Sequence, residues 1–188
     1  FAIGAGAARG WAHIGVLRTL EAAGIRPDVV SGTSAGAIVA GCCAAGRLPE
    51  LEGFARSLTK RRIFSLMDLT FSGAGLVSGG RLKARLENAL GSVRIEDLPV
   101  EFAAVATEMG SGHEIWLDKG ILSEAIQASY ALPGIFQPLK INSRWLFDGA
   151  LVNPVPVTVC RAKGAEVVIA INLNSELRRL SGTHARSG

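Results

Sequence analysis

The chain has 188 residues, with 20 Lys and Arg against 16 Asp and Glu, a net charge of +4 and 48% hydrophobic side chains. That length suits one domain around a single core, and the modest basic excess carries no aromatic-interleaved stripe, which argues against a nucleic-acid surface. The longest nearly uncharged apolar stretch, Ala35 to Ala45, is too short to cross a bilayer, and no charged segment followed by an apolar one opens the chain as a signal peptide would.

In chain order, the first expected element is a strand ending near Ile3, so the chain is expected to start within a strand, with further residues upstream. A loop of small residues, Gly4 to Gly10, leads to a helix with Ile14, Leu17 and Leu20 on one face, stopped by Gly24. A strand over 28–31 runs into Gly32-Thr33-Ser34-Ala35-Gly36 and a helix to Ala45, with Gly46 as its C-terminal stop. Residues 49–60 and 79–90 have helical patterns. The irregular apolar segment 63–78 between them reads as a cover over the core or a flap over a site.

Strands are expected over 102–107 and 113–117, then a helix over 121–131 ended by Pro133-Gly134. Trp145-Leu146-Phe147 leads to Asp148-Gly149 at a strand end, and a helix starts near Pro154 or Pro156. The run Glu166 to Leu173 reads as an interior parallel strand. This alternation predicts an α/β fold, a three-layer α/β/α sandwich with a mostly parallel central sheet. One domain is expected over 1–175, with a polar, disordered tail over 176–188.

Ser34 sits where a strand turns sharply into a helix, the arrangement that lifts a serine hydroxyl clear of the backbone. A side chain at Gly32 or Gly36 would collide with the neighbouring strand or helix, and the helix start places partial positive charge where an oxyanion would develop. The backbone N–H groups of Gly4, Ala5, Gly6 and Ala7 are candidates for an oxyanion hole. A phosphate loop is the competing reading, but Gly4, Gly6 and Gly10 do not match the dinucleotide spacing and no Gly-Lys-Ser/Thr follows.

A nucleophilic serine needs a base. None of His13, His113 and His184 follows a late strand, whereas Asp148 does. An aspartate works as a base only in a desolvated pocket or when strongly bonded to the serine; the plain alternative is an Asp-Gly turn. His13 suits packing or a structural hydrogen bond better than catalysis. Arg9 could hold a lipid phosphate or anchor the loop, and Glu108 reads as a rim group. Cys42, Cys43 and Cys160 are expected to be reduced thiols, and no Cys/His spacing resembles a zinc site. Lys60-Arg61-Arg62 reads as a solvated helix end, with an anionic membrane surface as the alternative.

Four blocks carry a resemblance: Gly4-x-Gly6-x-x-Arg9-Gly10 with Trp11 to Leu17, Gly32 to Gly36, Ala128 to Phe136, and Asp148 to Pro156. In this order they resemble the patatin-like phospholipase family, in the bacterial subgroup similar to the catalytic domain of neuropathy target esterase. The resemblance implies a Ser-Asp dyad of Ser34 and Asp148 working without histidine, metal or cofactor, an oxyanion hole from Gly4, Ala5, Gly6 and Ala7, and support from Arg9, Gly32, Gly36 and Gly149. It departs at Ala5 and Ala7, where the family usually has glycine; alanine keeps the N–H donor but disfavours positive φ.

The function expected is a serine acyl hydrolase on lipid esters, of the phospholipase A or lysophospholipase type. The alternatives are a lipid- or acyl-binding module with little turnover, or a thioesterase using the same dyad. Phospholipid, lysophospholipid or another acyl ester is the expected partner, with no nucleic acid; the expected location is cytoplasmic, with peripheral contact at the inner membrane as the alternative.

Overall fold

A computed structural model describes residues 1–58 and 80–174. The expectations for Lys60-Arg61-Arg62, for segment 63–78, for His184 and for the polar tail fall on residues outside those described.

The described elements alternate much as expected. Strand β1 (Ala2–Ile3) is followed by a 3-10 turn (Ala7–Trp11) and helix α1 (Ala12–Ala22), then β2 (Val29–Thr33) and α2 (Ala35–Ala44). Helices α3 (Leu48–Arg56) and α4 (Gly80–Leu90) precede β3 (Glu101–Glu108) and β4 (Glu114–Leu117). Then come α5 (Leu122–Ser129), the hairpin β5 (Leu139–Ile141) and β6 (Arg144–Asp148), α6 (Val157–Ala162) and β7 (Ala170–Ile171). Helices α1 and α2 both stop in the same way. Gly24 and Gly46 take positive φ, and the next amide bonds back to a carbonyl of the last turn, Ile25 to Leu20 and Arg47 to Cys42.

The α/β class holds, and the sheet is mixed. Its order is β5-β6-β3-β2-β1-β7, with β4 also on β3. The β7-β1-β2-β3 half is parallel, while β4, β5 and β6 join antiparallel. Alternate side chains along the strands enter two different cores. Ile3, Val30, Phe102, Ala104 and Ala106 face the layer of α1, α2 and α5, and Ala103 and Val105 face Val159 of α6. Helix α2 is buried on nearly all sides because its small residues let it lie close to β1, β2 and β3.

Two elements differ from expectation. The run 166–173 supplies only Ala170 and Ile171 to the sheet, and at its end rather than its interior. Its partner β1 offers two residues for pairing, and Val167 is 82% exposed. The β5–β6 hairpin was not expected as a pair. Its turn, Asn142-Ser143, has positive φ at both residues, 48° and 66°, the twist that matches a two-residue hairpin.

Candidate functional site

Sheet register brings Ser34 and Asp148 together across 114 residues of chain. On β3, Thr33 of β2 pairs with Val105 and Asp148 of β6 pairs with the next residue, Ala106. Strand β4 overlaps both stretches of β3, so it must occupy the opposite edge, and β2 and β6 therefore share one edge in succession. Where β2 ends, β6 takes its place, and Ser34 emerges beside the last residue of β6.

Ser34 itself is strained, at φ 57° and ψ −124°, in a region that costs a non-glycine residue about 1–3 kcal/mol. The surroundings enforce it. A Cβ at Gly36 would lie 2.3 Å from the Ile3 carbonyl oxygen, and one at Gly32 would lie 2.6 Å from that of Gly36. Side chains there would push the turn off the sheet, so both glycines are needed for close approach. The Ser34 amide donates to Ser129 Oγ at 3.0 Å, which satisfies it at the point where strand bonding has ended and helix bonding has not begun.

The Ser34 hydroxyl donates to Asp148 Oδ2 at 2.6 Å. The other carboxylate oxygen, Oδ1, accepts from the Ala150 amide at 2.8 Å, and the Asp148 backbone is held by the Ala131 carbonyl and the Thr107 hydroxyl. Asp148 is 2% exposed. Burial pushes its carboxyl above the ordinary range, against the opposing pull of the bonds from Ser34 and Ala150. Gly149 must follow without a side chain, since a Cβ there would lie 2.2 Å from the Val105 carbonyl oxygen. This is no exposed Asp-Gly turn. It is a buried carboxylate, made more basic than usual, on a serine hydroxyl.

The loop at 4–10 runs past the same point, and its amides are not equivalent. Those of Gly4 and Ala5 donate to the carbonyls of Ile171 and Pro154 at 2.9 and 2.8 Å. This corrects the expectation of four oxyanion donors: an amide already committed to a carbonyl cannot also face a developing oxyanion. The amides of Gly6 and Ala7 have no acceptor among the described residues. Ala7 takes φ 45°, whereas Ala5 is not in the left-handed region.

The loop's carbonyls are tied as well. Asn174 Nδ2 donates to the Ala5 carbonyl while its Oδ1 accepts from Arg9 Nη2 at 3.0 Å. Arg9 thus braces the loop through the side-chain amide of Asn174. His13, fully buried, donates from Nε2 to the Gly4 carbonyl at 2.8 Å, and its Nδ1 has no partner among the described residues. Burial holds its pKa below the ordinary value, so the ring is neutral and serves the loop rather than Ser34. Glu108 does not line the cavity; it accepts from Ser111 and pairs with Arg144.

Ser34 and Asp148 open into a cavity of about 340 Å³ walled by apolar side chains, among them Trp11, Ile38, Val39, Phe54, Leu132 and Ile135. It can accept a hydrocarbon chain with a reactive carbonyl at one end. Among the described residues no cluster of His, Cys, Asp or Glu could hold a metal ion, and no helix is long and apolar enough to cross a membrane. Sequence reasoning gave Ser129 no role. Its only signal was its place in the block Ala128 to Phe136, because the contact it makes depends on where α5 crosses the elbow.

A sequence model described as patatin-like phospholipase matches residues 1–161. An uncharacterized NTE family protein of Mycobacterium tuberculosis is 40% identical over 173 residues, covering 92% of this chain and 48% of that protein. A lysophospholipase of Saccharomyces cerevisiae is 31% identical, covering 92% of this chain and 10% of its own length. The neuropathy target esterase of Drosophila melanogaster is 33% identical, covering 93% of this chain and 13% of its own. The chain therefore spans about half the length of the mycobacterial relatives and a small part of the eukaryotic ones. Among solved structures, VipD from Legionella pneumophila superimposes with a TM-score of 0.60 over 79% of this chain and 44% of that one, at 15% identity, a likeness of fold.

Proposed function

Because the chain belongs to the patatin-like phospholipase family, we propose that it is a lipid acyl hydrolase in which Ser34 is the nucleophile and Asp148 the base. The observation that carries this reading is the 2.6 Å bond from a strained serine hydroxyl to a buried aspartate whose proton affinity burial has raised. Asp148 takes the Ser34 proton as Oγ attacks the ester carbonyl carbon. The amides of Gly6 and Ala7, with the N-terminus of α2, face the resulting oxyanion. Collapse of the tetrahedral intermediate breaks the bond to the leaving alcohol, which takes its proton from Asp148. Water then attacks the acyl-enzyme, losing a proton to Asp148, and the fatty acid leaves as Ser34 recovers its hydrogen.

The apolar cavity suits a fatty acyl chain. The lysophospholipase among the relatives supports a lysophospholipid or phospholipid as its source. Contact with a lipid surface would follow from that substrate. The test is release of fatty acid from lysophosphatidylcholine and of p-nitrophenol from a short-chain ester. Both are expected from the wild type, and Ser34→Ala should give neither. Undiminished turnover in a folded Ser34→Ala protein would reject the assignment.

A further inference from the structure

Behind the cavity at Ser34 lies a second one of about 440 Å³, formed by α2, α3 and α4. The two share four wall residues, Trp11, Ile38, Phe54 and Leu82, which form the partition between them. Two of these are large rings packed edge to face, Trp11 on Phe54, with centroids 6.0 Å apart. Beyond the partition the apolar wall continues through Leu51 and Leu86 to a charged end, where Arg47, Glu50 and Arg85 line the far side. Arg85 lies over the outer face of Phe54 at 5.5 Å from the ring centre.

We infer that Phe54, braced by Trp11, is the stop that sets the length of acyl chain the site accepts, and that the second cavity is the unused extension of the acyl site. The inference rests on the hydrolase reading above. A chain whose carbonyl sits at Ser34 runs along Ile38 and Val39 and meets the Trp11–Phe54 pair; past it lies more apolar wall. Each methylene that finds such a wall raises kcat/KM about fourfold, so specificity climbs with chain length until the stop is reached and then levels or falls. Phe54 is half-buried and packs against the main core without belonging to its fully buried set, so its truncation costs less than that of a fully buried ring.

The experiment measures kcat/KM for p-nitrophenyl esters from butyrate to palmitate. Phe54→Ala is expected to move the optimum to longer chains, with at least a tenfold gain in kcat/KM on the longest ester relative to butyrate. Refilling the second cavity from α4, in a Phe54→Ala, Ala89→Trp double variant, should return the optimum to its wild-type length. Equal loss on every ester in Phe54→Ala, or an unchanged optimum, overturns the inference while butyrate turnover keeps the hydrolase reading intact. No hydrolysis of any ester by the wild type would instead reject that reading.

Discussion

The elbow at Ser34 and the loop at 4–10 face the same cavity, but they are fixed by different means. The elbow is held by backbone contact. Gly36 and Gly149 press against carbonyls of neighbouring strands, Gly32 presses against the first turn of α2, and the strained serine has its amide satisfied by Ser129. The loop is held by hydrogen bonds scattered along the chain: His13 and Asn174 donate to its carbonyls, the carbonyls of Ile171 and Pro154 accept from its amides, and Arg9 braces Asn174. Errors in the elbow should therefore stop the chemistry, whereas errors in the loop should weaken it.

The largest break expected is at Asp148. Asp148→Asn is nearly isosteric and keeps the turn, but it cannot accept the serine proton, so activity should fall at least about 10³-fold. Stability gives a second reading with a definite sign. The folded carboxyl titrates above its unfolded value, so protonated Asp148 favours the native state and that contribution is lost as pH rises through the folded pKa. The melting temperature of Asp148→Asn relative to wild type should therefore be most favourable at neutral pH and should decline as pH falls through that range. Wild-type activity should fall over the same acid range, because the base becomes protonated. A pH-independent difference in melting temperature would contradict the raised pKa.

Ser129→Ala is next. It leaves the Ser34 amide buried and unbonded, a cost of about 1–3 kcal/mol that bears on the geometry of the nucleophile. The expected result is a drop of roughly tenfold to a hundredfold in kcat with KM little changed. An equal change in KM would point to cavity collapse instead.

The loop should respond more gently, and its two alanines in opposite directions. Ala7 carries a positive φ that glycine adopts freely, so Ala7→Gly should stabilise by up to about 1 kcal/mol and raise activity by no more than a few-fold. Ala5 is not in that region, so Ala5→Gly should destabilise by about 0.5–1 kcal/mol. Thermal melts of the pair settle this, and destabilisation by both would show that Ala7 is not strained. The smallest effect on turnover is expected from His13→Gln, which can still donate to the Gly4 carbonyl: most of the activity is kept and the melting temperature is lowered. A loss of about 10³-fold or more, with the fold intact by circular dichroism, would mean that histidine supplies the base.

Much of this site could be read in the sequence because its strongest constraints are local. Gly32 and Gly36 around Ser34, and Gly149 after Asp148, mark places where backbone meets backbone, and such contacts leave few residue choices. The antiparallel half of the sheet was harder to see. Strands β5 and β6 are short, and the Asn142-Ser143 turn between them lacks the glycine that usually marks such a hairpin. Register was out of reach: that Asp148 pairs beside the residue pairing with Thr33 depends on β2 and β6 sharing one edge of β3. The spent amides of Gly4 and Ala5 were equally hidden, since their acceptors, Ile171 and Pro154, lie about 150 residues or more away. The run 166–173 misled because apolar character suits a buried interior strand as well as one whose partner, β1, is two residues long.

The central claim is that one serine, Ser34, is chemically activated by the elbow and by Asp148. Intact-mass analysis after reaction with a fluorophosphonate, followed by peptide mapping, tests it most directly. The account predicts a single adduct on Ser34, none on Ser34→Ala, and much slower labelling of folded Asp148→Asn. An adduct on another serine, or labelling of Ser34→Ala at the wild-type rate, would contradict it.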